Sequence, residues 1–181
     1  FHWFGGAHAN PLVALSAIAA RTTRLRLGTA VTLLPYRHPL LVAEEFACLD
    51  NLSNGRLDLG VGRGFFKIEY DGLGVPMSES RPRFNESLEI IRRAWTEREL
   101  TYKGQFWEFE DVELVPKPVQ KPHPPIWMAA TVTPESFVNI GKLGWPIMIV
   151  PYIAPSVSAL GEKVQLYFKA FREAGHRHEP E

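Results

Sequence analysis

Two arginines and two hydroxyl side chains stand where strand-like segments end, and together they could hold a phosphate. Arg63 lies in the glycine-rich stretch of residues 60–64, and Arg81 lies in the first turn of a predicted helix. A cation in that turn opposes the helix dipole, so a bound anion would remove the conflict. Thr133 and Ser136 stand where a later strand runs into a helix, and their hydroxyls could bind a phosphate at its N-terminus. These residue types at successive strand ends suit a phosphate monoester.

Each of these features also has a purely structural interpretation. The glycine-rich stretch, with Gly62 at its centre, could be a tight turn that carries a surface arginine. Arg83, further along the same helix, is predicted to pair with Glu79 or Glu86 on a solvated face. Thr133 could simply cap the helix that follows it. Both kinds of interpretation stay open at this point.

Several kinds of chemistry lack the residues that they need. The single cysteine, Cys48, excludes an internal disulfide framework and a cysteine-rich metal site, and its apolar helical setting predicts a buried structural thiol. No pair among the six histidines has helical metal-ligand spacing beside a carboxylate, so no metal site is predicted. The sequence has no Gly-x-Ser-x-Gly elbow, which leaves serine hydrolase chemistry without support.

The composition is that of an ordinary globular domain. The chain has 181 residues, of which 45% are apolar and 22% are charged. Its 20 basic and 20 acidic side chains cancel, so net charge gives no reason to expect a nucleic acid or an acidic membrane as partner. No run approaches the roughly 18 consecutive apolar residues that a membrane span needs.

Predicted strands and helices alternate along the chain. The strands are at residues 25–34, 57–61, 126–130 and 147–150, and the helices are at residues 11–20, 40–52, 79–96, 134–143 and 156–173. A glycine-containing loop at 65–78, a hairpin turning at Lys103-Gly104 and a proline-rich crossing at 116–125 interrupt the alternation. This order predicts parallel strands with crossover helices. The sheet could be open and doubly wound, or it could be part of a barrel, which needs eight strands to close.

The order and spacing of short motifs resemble those of the bacterial luciferase-like flavin-dependent monooxygenases. The resemblance extends over residues 8–150, and the motifs that carry it are Asn10-Pro11, residues 27–31, Leu34-Pro35, His38-Pro39, residues 43–45, Leu49-Asp50, residues 53–56, residues 60–64 and Ser80-Arg81. It implies an α/β fold in which residues 1–181 are one partial (β/α)8 TIM-barrel domain with an inserted hairpin and a proline-rich crossing. On this interpretation both ends are cuts, and the first two and last two barrel strands are expected outside the fragment.

The resemblance also implies which residues bind the cofactor. Arg63 and Arg81 match positions that hold the flavin phosphate, and Thr133 and Ser136 match its hydroxyl ligands across a one-residue difference in length. Gly62 is expected in the same site because the lack of a side chain lets the backbone approach a ligand.

Further positions concern the flavin ring and the reaction. Ala30 and Val31 match a non-proline cis peptide beneath the ring, and the small residues at 28–32 would let the ring lie on the backbone, although core packing explains them equally well. The family often carries a Glu-His-His stretch, which here falls at or before Phe1. An alignment without a gap places Phe1 at the second histidine, and one deletion would place His2 there. His2 is therefore the candidate catalytic acid or base.

The function that the resemblance implies is a monooxygenase that uses reduced FMN and dioxygen to oxidise a small organic substrate, with a flavin reductase as partner. Two alternatives stay open: F420-dependent hydride transfer on the same fold, and a non-catalytic barrel that binds a flavin. F420-dependent relatives usually carry acidic and Asn residues after the Gly-x-Gly, whereas residues 63–66 read Arg-Gly-Phe-Phe, which favours FMN. The protein is further expected to be a cytoplasmic homodimer without nucleic-acid or membrane partners.

Overall fold

The computed structural model describes residues 10–131, 133–149, 151 and 156–177, and it alternates helices with strands in the predicted order. The helices are α1 (Pro11–Ala19), α2 (Pro39–Ser53), α3 (Lys67–Gly72), α4 (Ser80–Thr96), α5 (Pro134–Leu143) and α6 (Val157–Glu173). The strands are β1 (Leu27–Gly28), β2 (Thr32–Leu33), β3 (Leu57–Gly62), β4 (Leu100–Lys103), β5 (Glu108–Val112), β6 (Ile126–Ala130) and β7 (Ile147–Ile149). Short 3-10 turns precede α2 and α4, at Leu34–Tyr36 and Met77–Glu79.

The main sheet is parallel and runs in the order β1-β3-β6-β7, with β2 paired to β3 beyond β1. Leu59 lies opposite Ile126, and Met128 lies opposite Ile147. Each parallel neighbour is reached through a crossover that contains a helix, as the alternation predicts. The carboxyl ends of these strands therefore meet at one edge of the sheet.

The first predicted strand is interrupted, which corrects the prediction of one continuous strand at 25–34. Both β1 and β2 pair with β3, and the segment between them leaves the ladder. Its peptide bond between Ala30 and Val31 is cis. The segment lies directly on β3, because a Cβ atom built on Gly60 would be only 1.8 Å from the carbonyl oxygen of Thr29. Apolar periodicity predicts a buried segment here but is insensitive to this local change of direction.

The hydrophobic core lies between the sheet and the helices that cover it. On α4 the apolar positions predicted from their spacing are all buried, and they are Phe84, Leu88, Ile91 and Trp95. The indole N–H of Trp95 donates to the carbonyl oxygen of Ala43 at 2.8 Å, which joins α4 to α2. On β6 every second residue is buried, as a strand with one face on the core requires.

Local capping explains where several helices begin and end. The side chain of Asn10 accepts hydrogen bonds from the N–H groups of Leu12 and Val13 at 3.1 and 3.4 Å, which confirms the predicted start of α1. Asn54, with φ of 54°, and Gly55, with φ of 77°, end α2 in the left-handed region. None of the described helices is long and apolar enough to cross a membrane.

The inserted hairpin is antiparallel, as predicted, and it is fastened to α4 through one carboxylate. Glu86 is buried and accepts hydrogen bonds from the N–H groups of Gln105, Phe106 and Trp107, with the shortest contacts at 3.0, 3.1 and 2.9 Å. The carboxylate of Glu86 therefore binds the backbone of the hairpin turn and does not pair with the nearby arginines.

Two predictions about single segments are wrong. Cys48 is exposed, because α2 turns the neighbouring Phe46, Ala47 and Leu49 inward and leaves Cys48 on its outer face. The segment at 65–78, predicted as a loop, contains α3 and a 3-10 turn. A six-residue helix is too short to leave a measurable apolar period in the sequence.

Candidate functional site

The glycine-rich stretch at the end of β3 is closely packed against the neighbouring chain segment. A Cβ atom on Gly62 would lie 2.6 Å from Cγ2 of Val31, and one on Gly64 would lie 2.6 Å from the hydroxyl oxygen of Tyr36. Gly64 also has a φ of 74°, where an L side chain is strained. These glycines thus admit protein neighbours and bring Val31 against the end of β3.

A cleft of about 530 Å³ opens between α4 and α5, beside the ends of β3 and β6. Four of the residues predicted to bind the cofactor line it, namely Gly62, Arg63, Arg81 and Ser136. Its other polar wall residues include Asn85 and Asn139, and its apolar wall residues include Phe84, Leu88, Met128, Ile140 and Trp145. Glu89, Arg92 and Lys142 also line it, so the cleft is cationic at the strand ends and carries both apolar and charged groups along the helices.

Arg63 and Arg81 face each other's charge without a carboxylate between them. Within the described residues neither guanidinium has an ion pair or a hydrogen-bonding partner. Burial lowers the pKa of the Arg63 guanidinium, and the charge of Arg81 lowers it further. Since arginine stays protonated at neutral pH, the repulsion persists until an anion binds.

The charge of Arg83, in contrast, is paired with that of Glu79, the residue before α4. Its Nε donates to Glu79 at 2.8 Å, and its guanidinium lies over the ring of Phe106 at 4.3 Å from the centroid. The structural interpretation of Arg83 is confirmed for its pairing with Glu79. Arg81 and Arg83 therefore have different surroundings although two positions separate them.

The two predicted hydroxyl ligands lie together at the start of α5. Oγ1 of Thr133 is 2.7 Å from Oγ of Ser136, and Ser136 lines the cleft whereas Thr133 does not. Thr133 occupies the N-cap position, but its side chain makes no capping hydrogen bond, so the capping interpretation is wrong. The N–H of Ser136 donates to the carbonyl oxygen of Thr133 at 3.0 Å, which holds the two hydroxyls side by side.

The positions predicted for the flavin ring are divided between two places. Val31 contacts Gly62 at the margin of the cleft, whereas Ala30 lines a separate cavity of about 470 Å³ with Thr29, Trp127 and Met148. The peptide bond between Ala30 and Val31 is cis, as the resemblance implies. His2, the candidate acid or base, lies outside the described residues.

The sequence does not reveal a group of hydroxyl and carboxylate side chains that packs next to the backbone of Arg63. Tyr70 on α3 is fully buried and donates to the carbonyl oxygen of Arg63 at 2.5 Å. Tyr36 packs edge-on against Tyr70, with centroids 4.6 Å apart, and its hydroxyl lies 3.4 Å from buried Glu69. The predicted loop concealed α3, so no periodic signal marked these residues. Asn85 could have been found, since it follows Arg81 by four residues on a helix.

Metal-ligating side chains do not gather anywhere in the described ranges. No group of three or more His, Cys, Asp or Glu residues there could hold a metal ion. The polar groups of the cleft, as far as the structure describes it, are guanidinium, ammonium, amide and hydroxyl groups and the carboxylate of Glu89.

Comparison with known proteins places this geometry in a family. The family model described as luciferase-like monooxygenase matches residues 1–181. The chain is 36% identical over 158 residues to the oxygenase component of a flavin-dependent trigonelline monooxygenase from Acinetobacter baylyi, covering 82% of this chain and 43% of that protein. It is 31% identical over 182 residues to an FMNH2-dependent dimethylsulfone monooxygenase from Pseudomonas putida, covering 93% of this chain and 50% of that protein.

A solved structure agrees with the fold over almost the whole chain. The monooxygenase RslO1 from Streptomyces bottropensis superposes with a TM-score of 0.91 at 40% sequence identity, over 99% of this chain and 54% of that one. The prediction of a partial TIM barrel over an open doubly wound sheet is thereby confirmed. The chain spans about half the length of the relatives it matches.

Proposed function

Because this chain belongs to the luciferase-like monooxygenase family, we propose that it binds reduced FMN and uses dioxygen to oxidise a small organic substrate. The observation that carries the proposal is the pair Arg63 and Arg81, which share one cleft with Ser136 and have no carboxylate partner among the described residues. The names of the two relatives, one flavin-dependent and one FMNH2-dependent, support the choice of cofactor.

The donor set in the cleft suits a phosphate monoester. Two guanidinium groups can donate several charge-assisted hydrogen bonds to the phosphate oxygens, and the hydroxyl of Ser136 can donate another. The Thr133 hydroxyl, 2.7 Å from that of Ser136, would orient it. A phosphate here would also relieve the repulsion between Arg63 and Arg81. The new hydrogen bonds and the reduced repulsion would therefore both favour its binding.

In this proposal the protein positions the cofactor and shields it from water. When bound, reduced FMN would supply two electrons to dioxygen, so that one oxygen atom enters the substrate and the other leaves as water. Arg63, Arg81 and Ser136 would anchor the phosphate, while Val31 and Gly62 would border the path from the phosphate toward the sheet. His2 is proposed as the acid or base that moves a proton at the substrate.

The F420-dependent alternative uses the same fold with different chemistry. It would transfer a hydride to or from the substrate without incorporating oxygen. The sequence Arg-Gly-Phe-Phe at residues 63–66 favours FMN, and the experiments below separate the two cofactors.

The phosphate site can be tested by comparing two flavins that differ only in the phosphate. Arg63→Ala and Arg81→Ala should each weaken FMN binding by about 1.5–3 kcal/mol, as expected for charged hydrogen bonds. Riboflavin, which lacks the phosphate, should bind equally well to wild type and variants. Flavin fluorescence titration under matched salt measures both affinities.

Arg83→Ala is the matched control for this test. It removes a cation from the same helix, but one that Glu79 and Phe106 already engage. FMN affinity should change by less than about 0.5 kcal/mol, as for a surface substitution. If Arg63→Ala and Arg81→Ala weaken FMN and riboflavin equally, the phosphate site lies elsewhere.

A further inference from the structure

The hydroxyl of Tyr70 fixes the chain segment that carries Arg63. Tyr70 is fully buried on α3, and its O–H donates to the carbonyl oxygen of Arg63 at 2.5 Å. One buried hydroxyl thus links the turn after β3 to α3.

The surroundings keep this hydroxyl protonated and in place. Burial raises the pKa of Tyr70, so the group remains a donor to the carbonyl at neutral pH. Tyr36 packs edge-on against the ring of Tyr70 at a centroid distance of 4.6 Å. The Tyr36 hydroxyl in turn abuts Gly64, where a Cβ atom would lie 2.6 Å away. Tyr70 therefore has little freedom to move relative to the turn.

This link matters because Arg63 and Arg81 repel each other. Two like charges that converge on one cleft would separate if the backbone segments behind them could move apart. The hydrogen bond to the Arg63 carbonyl opposes that separation at the backbone of Arg63, while leaving its guanidinium group free for a ligand.

We propose that Tyr70 is a positioning residue that holds Arg63 at the distance from Arg81 that a phosphomonoester requires. The inference rests on the proposed function, since it assumes that the two arginines bind the flavin phosphate. Tyr70 does not touch the ligand; its effect is transmitted through Arg63.

The test is Tyr70→Phe, which removes the hydroxyl and keeps the ring. The dissociation constant for FMN should rise about threefold to tenfold, the range of one hydrogen bond, while that for riboflavin stays unchanged. Tyr167→Phe is the matched control. Its buried hydroxyl also donates to a backbone carbonyl, that of Trp145 at 3.0 Å, but on α6 away from the arginines. It should affect folding stability and leave the ratio of the two affinities unchanged.

A double-mutant cycle distinguishes positioning from general loss of structure. In the Arg63→Ala background, Tyr70→Phe should change FMN affinity by less than about twofold, because coupled residues are not additive. Tyr36→Phe, which removes the hydroxyl that abuts Gly64 in the same turn, should give a smaller FMN-selective loss and provides the test if Tyr70→Phe folds poorly.

Two outcomes would overturn the inference. Tyr70→Phe and Tyr36→Phe could weaken FMN and riboflavin equally, or Tyr70→Phe could cost as much FMN affinity without Arg63 as with it. Either result, with Arg63→Ala still selective for FMN, rejects the positioning role alone. If Arg63→Ala also fails to discriminate between the flavins, the phosphate site itself is wrong.

Discussion

The imidazole of His38 packs against two aromatic side chains of the inserted hairpin. Its ring lies 4.4 Å from that of Trp107 and 5.7 Å from that of Phe109, measured between centroids. Nδ1 of His38 is buried without a hydrogen-bonding partner among the described residues. Burial lowers the pKa of His38, so the folded protein favours the neutral ring.

This environment predicts a pH-dependent stability. The unfolded chain protonates His38 near its ordinary pKa of about 6.5, whereas the folded chain resists protonation. The stability that the neutral, buried ring gives to the folded protein is therefore fully present above that pH. It is lost as the pH falls from that value to the lower pKa of the folded protein. Urea unfolding at pH 7.5 and 5.5 should show a smaller loss of stability for His38→Phe than for wild type. Equal losses in the two proteins would contradict the prediction.

At the scale of single residues, the sequence identifies side chains whose charge or chemistry stands out at a strand end. Arg63, Arg81 and Ser136 were recognised in this way, and they line one cleft. Tyr70 was missed because an aromatic residue in a predicted loop carries no sign of the carbonyl that its hydroxyl will meet. The exposure of Cys48 was likewise mispredicted, since its apolar neighbours do not define which helix face they occupy.

At the scale of elements, one buried carboxylate fixes the hairpin to α4. Glu86 accepts from three successive backbone N–H groups, at Gln105, Phe106 and Trp107. Gly104 next to this turn has no room for a side chain, because its Cβ atom would lie 2.2 Å from Oε1 of Glu86. The hairpin tip is therefore held by charge-assisted bonds that no other side chain there replaces.

Glu86→Gln should lower the free energy of unfolding by about 1–2 kcal/mol, because a neutral amide accepts fewer and weaker bonds and leaves part-buried N–H groups of the hairpin less well paired. Glu89→Gln, at an exposed position on the same helix, is the control and should change stability by less than about 0.5 kcal/mol. Chemical denaturation with unchanged slope measures both. Similar values for the two variants would show that the hairpin is anchored otherwise.

Gly60 provides a second test at this scale, because β3 and the segment between β1 and β2 touch there. Gly60→Ala would place a methyl group 1.8 Å from the carbonyl oxygen of Thr29, and we expect a loss of about 3 kcal/mol or more through overpacking. Gly161→Ala in α6 is the matched control. No atom lies within 4 Å of its added Cβ, so stability should rise by about 0.5–1 kcal/mol. Thermal unfolding of both variants would be compared, and a mild effect at Gly60 would argue against the close approach.

The elements themselves were largely predictable, and the reasons are local. Asn10 before a proline and Asn54-Gly55 after an apolar run mark helix ends through capping and the left-handed conformation, which depend on neighbouring residues only. The break between β1 and β2 was not predictable, because it depends on how closely a strand from elsewhere in the chain, at Gly60, can approach.

At the scale of the whole molecule, the alternation of elements predicts parallel strands but leaves the closure of the sheet undecided. Curvature is a property of all the strands together, and no single segment encodes it. The resemblance of many spaced motifs predicts a barrel, and the superposition on RslO1 agrees with this prediction. The cleft between α4 and α5 lies where β3 and β6 end, on the face at which α/β barrels bind ligands.

The complete reaction can be assayed with reduced FMN and labelled dioxygen. If the protein is an oxygenase component, reduced FMN made by a separate flavin reductase should support substrate oxidation, and chemically or photochemically reduced FMN should replace the reductase. Under ¹⁸O₂ the product should gain one labelled oxygen atom, because the flavin passes its two electrons to dioxygen and the second oxygen atom leaves as water. Mass spectrometry of the product measures the label.

Combining Arg63→Ala with Arg81→Ala makes this test specific to the cleft. At limiting reduced FMN the double variant should form less labelled product and release more hydrogen peroxide, because more of the reduced flavin reacts with dioxygen outside the water-excluding site. At saturating reduced FMN the yield should recover if, as proposed, the arginines bind the phosphate and do not touch the reacting atoms. A loss that saturation cannot restore would place them in the chemistry itself. Unlabelled product together with hydride transfer from reduced F420 would replace the monooxygenase assignment by the deazaflavin one.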